Sequence, residues 1–85
     1  MRSNAEVDSR TIEAAVRVIG DQGMQHVFNK NTPENQGKFV KACMQDLINT
    51  EVWDVYPEWL RNKLIRRWSK IYQHEMQRRS RAGKR

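Results

Sequence analysis

A chain of 85 residues with 38% hydrophobic and 31% charged side chains is expected to form one small domain with a thin core, able to bury only about 60% of its unfolded surface. A single cysteine rules out an internal disulfide, and no run approaches the roughly 18 apolar residues that a membrane span needs. The net charge of +6 is unevenly spread: residues 57–85 carry ten Lys or Arg against two acids, for +8, whereas residues 1–56 sum to −2. Charge gathered at one end attracts a polyanion far better than the same charge scattered.

From the N-terminus, residues 1–8 show no periodicity and read as a flexible arm. Ser9 is a candidate N-cap for a first helix over about 9–20, on which Thr11, Ile12, Ala15, Val16, Val18 and Ile19 share an arc and Arg10, Glu13 and Arg17 lie opposite. Gly20, Asp21 and Gly23 are expected to stop it, with glycine taking the left-handed conformation of helix ends. Met24, Val27 and Phe28 then suggest a short helical segment near 22–28. Thr32-Pro33-Glu34 is the strongest start signal in the chain: a hydroxyl N-cap, proline at the first helical position and an acid at the positive end of the helix dipole. The helix it opens, to about residue 49, gathers Phe39, Val40, Cys43, Met44, Leu47 and Ile48 on one side.

The link 51–56 is short, and four of its six residues are aliphatic or aromatic. Lacking a strand to pair with, it reads as a turn or helical bend whose Trp53 and Tyr56 plug the joint between helices. Pro57 restarts the chain as a helix to about residue 77. Leu60, Leu64, Ile65, Trp68, Ile71, Tyr72 and Met76 occupy an arc of roughly 160°. Lys63, Arg66, Arg67 and Lys70 fall on the opposite side within roughly 100°, with Trp59 and His74 among them. Beyond Met76 the apolar positions stop, so residues 78–85 read as a fraying cationic tail.

No motif here carries catalysis. There is no glycine-rich phosphate loop, no nucleophile elbow and no paired carboxylates, so an enzyme is not expected. His26 and His74 lack ligand-spaced partners, which leaves neither metal nor cofactor expected. Cys43 falls on an apolar arc, where cysteine acts as a small hydrophobe. Residues 12–31 have the outline of a helix-turn-helix, but 24–28 is short and bears no Arg or Lys before Lys30.

The sequence therefore predicts an all-α, small single-domain bundle of three principal helices, comprising an arm (1–8), a helical domain (9–77) and a basic tail (78–85). Its expected core is Ile12, Val16, Ile19, Phe39, Cys43, Leu47, Leu64, Trp68 and Ile71. The first function expected is nucleic-acid binding, DNA or RNA, through phosphate contacts from Lys63, Arg66, Arg67, Lys70, Arg78, Arg79, Arg81, Lys84 and Arg85, with Trp59 stacking on a base. Five to seven such contacts predict a slope of log K against log salt of roughly −4 to −6. The alternative is a helical adaptor or inhibitor that grips an acidic protein through an exposed patch of Met44, Trp53 and Tyr56, or pairs with itself as a homodimer. With no apolar leader and no disulfide, the expected location is cytoplasmic or nucleoid-associated.

Overall fold

In a computed structural model, which describes residues 4–83 and the side chains of 8–27 and 29–81 within them, the chain is all-α. Helix α1 spans Asn4–Gly20, α2 Pro33–Asn49 and α3 Glu58–Gly83, with 3-10 helices at Gln22–Phe28 and Trp53–Val55 and no strand among the described residues. No helix there is long and apolar enough to cross a membrane.

The start of α2 follows its local sequence closely. Thr32 is extended, its Oγ1 accepts from the Asn35 N–H at 3.1 Å, and Pro33 occupies the first turn, where a missing N–H costs nothing. Its far end departs from expectation in an instructive way. The Glu51 N–H donates to the Ile48 carbonyl (3.0 Å) and the Val52 N–H to the Leu47 carbonyl (3.1 Å), the paired bonds of a Schellman turn, and Leu47 and Val52 are both buried beneath it. The turn requires a left-handed residue, and Glu51 supplies it at φ 63°. No described glycine has positive φ, so the glycines after α1 do not act as first expected. There the chain tightens through a bond from the Asp21 N–H to the Val18 carbonyl (3.2 Å). Asp21 Oδ1 then accepts from the Gly23 N–H (2.8 Å) to open the following 3-10 helix.

Aromatic residues of α3 organise the core. Trp68 is fully buried, stacks on Trp53 at 6.1 Å between ring centroids, and donates from Nε1 to the Thr11 carbonyl of α1 at 3.1 Å. Tyr72 packs against Phe39 of α2 (5.3 Å), and its hydroxyl lies within reach of the Val27 and Lys30 carbonyls, the latter at 2.7 Å. Three segments are thus pinned to one helix by ring packing and by side-chain hydrogen bonds to main-chain carbonyls. Cys43 is buried, and burial, assisted by the negative charge of Asp46, pushes its thiol up to about 12.

Several expectations need correction. Helix α1 begins at Asn4, so residues 4–8 belong to the helix rather than to an arm, and Asp8 is anchored by an ion pair to Arg67 of α3. Helix α3 likewise continues past residue 77 to Gly83. The buried face of α1 is Thr11, Ala14, Ala15 and Val18, whereas Ile12 and Val16 are 51% and 61% exposed. The bond from Trp68 to the Thr11 main chain sets this rotation, since it needs a close helix approach that alanines permit and bulky side chains block. Finally, Trp53 and Tyr56 are only 8% and 3% exposed, so they plug the joint and cannot form the exposed patch of the adaptor reading. Ile19 and Ile71, both expected in the core, sit half-buried at its edge.

Candidate nucleic-acid interface

Helix α3 has 26 residues and is about 39 Å long at 1.5 Å per residue. It accounts for most of the 48 Å long axis of a molecule that is otherwise 23 by 20 Å. Its inward face is fixed by Leu64, Trp68, Tyr72 and Met76, one per turn, and this aims the opposite face at solvent. On that face Trp59, Lys63, Arg66, Lys70, His74, Gln77 and Arg81 are all exposed and fall within about 80° of the helix circumference. They form one straight track of about 33 Å. Trp59, at 66% exposure, stands free of the core at its start.

The cations of α3 divide into two groups. Arg67 is engaged by Asp8, and Glu75 takes both Arg78 (2.7 Å) and Arg79 (2.9 Å). Hydrogen bonds from Arg78 and Arg79 hold the Glu75 carboxyl below its ordinary range despite its partial burial. These pairs are therefore intact at neutral pH and are lost only as pH falls through that lowered value. In contrast, Lys63, Arg66, Lys70 and Arg81 have no ion-pair partner among the described residues. Lys84 and Arg85 lie outside the described residues. Of the nine cations expected to contact phosphate, four are thus unpaired on the track and three are committed to intramolecular carboxylates.

Elsewhere on the surface, Arg17 bridges Asp46 (2.8 Å) and approaches Glu13 (3.4 Å), and Lys38 lies 3.8 Å from Glu34. The unpaired set is distinctive because Lys63 and Arg66 stand at i,i+3 and Arg66 and Lys70 at i,i+4, the spacings at which like charges repel by about 0.2–0.5 kcal/mol a pair. A phosphate row would relieve that repulsion. Arg61, on the buried side of α3, has a different role: its guanidinium lies 5.8 Å from the Trp53 ring centroid, and its Nε donates to the Tyr56 carbonyl at 2.9 Å, bracing the joint.

The first 3-10 helix cannot serve as a recognition helix, because its seven residues are wound too tightly and Val27 is wholly buried under Tyr72. Of the adaptor patch, Met44 is half-buried against the core along with the buried Trp53 and Tyr56. Among the described residues no group of three or more His, Cys, Asp or Glu could hold a metal ion. Sequence periodicity does not reveal the pairing of Arg67 with Asp8, because residues 1–8 carry no apolar repeat that marks them as helix. The signal available was the acid itself, placed where an extended α1 would carry it to α3. Comparisons with protein-family models, with curated proteins and with solved structures each return no match.

Proposed function

We propose that this protein binds nucleic acid through its phosphate backbone, using the exposed track of α3. The observation that carries the reading is the set of Lys63, Arg66 and Lys70, three neighbouring cations on one face with no acidic partner among the described residues, where Arg17, Arg67, Arg78 and Arg79 each pair with an acid. Mutual repulsion is a standing cost that a row of phosphates removes, and the counterions it displaces add an entropic gain. Contacts of this kind position a protein on a polyanion without reading its bases. If all four track cations that are unpaired among the described residues met phosphates, the slope of log K against log salt on duplex DNA would be about −3.6, and about −2.7 if only Lys63, Arg66 and Lys70 did.

The test is a binding titration of the whole protein against duplex DNA, single-stranded DNA and RNA at several salt concentrations. Affinity that falls steeply with salt on at least one of these supports the reading. Absence of binding at low salt, or affinity indifferent to salt, overturns it in favour of a protein partner.

A further inference from the structure

The last turns of α3 differ from the rest of the helix. Met76 is its final buried residue among the described side chains, and Gln77, Arg78, Ser80 and Arg81 are exposed while the helix continues to Gly83. This leaves an overhang about 10 Å long, with Gln77 at its root beside Asn31, Thr32, Pro33 and Gln36 at the start of α2, and with Arg78, Ser80 and Arg81 exposed beyond it. His74, Gln77, Arg78 and Arg81 line one shallow depression on it. Resting on the nucleic-acid reading above, we propose that the ligand is B-form duplex DNA, and that this overhang enters the major groove, where Gln77 and Arg81 meet base edges while Lys63, Arg66 and Lys70 hold the flanking phosphates.

Three features favour this form of nucleic acid. A lone helix about 10–12 Å across fits the B-form major groove, about 12 Å wide, whereas the major groove of A-form RNA is too narrow for it. Single-strand binders offer a groove and several stacking aromatics, but here the track is convex, and Phe39, Trp53, Tyr56, Trp68 and Tyr72 are all buried, leaving Trp59 as the one exposed platform among the described aromatic side chains. The residue types at the tip are those that read bases: glutamine bonds N6 and N7 of adenine, and arginine bonds O6 and N7 of guanine. Spaced at i,i+4 on the same line as Lys70, they lie about 10 and 16 Å further along the axis, close enough for phosphate anchoring and base contact to act together.

The test is selection of the whole protein on a randomised duplex DNA pool. Affinities for the selected duplex, a scrambled duplex and the RNA duplex of the same sequence are then compared for the parent, Gln77→Ala/Arg81→Ala and Lys63→Ala/Arg66→Ala, with far-UV circular dichroism verifying the helix in each. The expected result is preference for the selected DNA over both alternatives, with the Gln77→Ala/Arg81→Ala protein losing roughly 5- to 150-fold of that preference per base contact. The Lys63→Ala/Arg66→Ala protein should weaken on all three ligands alike. Salt-dependent binding that treats scrambled DNA and duplex RNA as well as selected DNA would overturn the inference and leave the proposed function standing; no binding to any of them would remove both.

Discussion

Two buried tyrosines permit a controlled test of the core. Tyr72→Phe and Tyr56→Phe each remove one oxygen and change packing little, yet their surroundings predict different signs. The Tyr72 hydroxyl serves the Val27 and Lys30 carbonyls, and its loss leaves the buried Val27 acceptor without its side-chain donor. That costs about 1–3 kcal/mol, and at about 4–8 °C per kcal/mol for a domain of this size Tm should fall on the order of 10 °C. The Tyr56 hydroxyl is buried with no hydrogen-bond partner among the described residues, so its desolvation is uncompensated. Phenylalanine there should be neutral or stabilise by up to about 1 kcal/mol. Urea denaturation followed by far-UV circular dichroism measures both, with an unchanged m-value showing that the unfolded state is not the cause. Equal destabilisation by the two substitutions would refute the hydrogen-bond assignment.

The left-handed Glu51 makes Glu51→Gly stabilising by about 1 kcal/mol, read as a higher urea midpoint, since glycine adopts that conformation without a Cβ clash. Cys43, with its thiol at about 12, should react with a thiol reagent at pH 8 only as fast as the protein opens, because about one thiol in ten thousand is ionised there; rapid labelling of the folded protein would contradict its burial. Glu75→Gln should release Arg78 from its ion pair and steepen the salt dependence of DNA binding by up to about 0.9 in slope, with little loss of stability because such helix pairs contribute only about 0.3–0.5 kcal/mol.

Local signals in the sequence translated well where neighbouring residues decide the outcome. Thr32-Pro33 starts α2 as its chemistry dictates, and the apolar spacing of Leu64, Trp68, Tyr72 and Met76 fixes the face of α3 that turns inward. The orientation of Lys63, Arg66 and Lys70 follows from that face. What periodicity could not supply was the rotation of α1. Its apolar arc includes both Ile12 and Ala15, and the choice between them is made by a hydrogen bond from Trp68, a residue 57 positions away. The same distance in sequence hid the Asp8–Arg67 pair, which removes one cation from the candidate interface. The Glu51 turn was hidden for another reason: glycine is the residue that advertises a Schellman end, and here packing of Val52 against Leu47 holds a glutamate in its place.

The central claim, that binding resides on one face of α3 and not in the overall charge, is tested most directly by two charge reversals of equal size. Arg66→Glu/Lys70→Glu and Lys38→Glu/Lys41→Glu each lower the net charge of +6 by four, but the first pair lies on the track and the second on exposed positions of α2. With duplex DNA as ligand, the α3 reversal should reduce the magnitude of the salt slope by about 1.8 and cost at least about a hundredfold in affinity at low salt, while the α2 reversal leaves the slope unchanged. Equal losses from both would show that net charge alone drives association and would contradict the account.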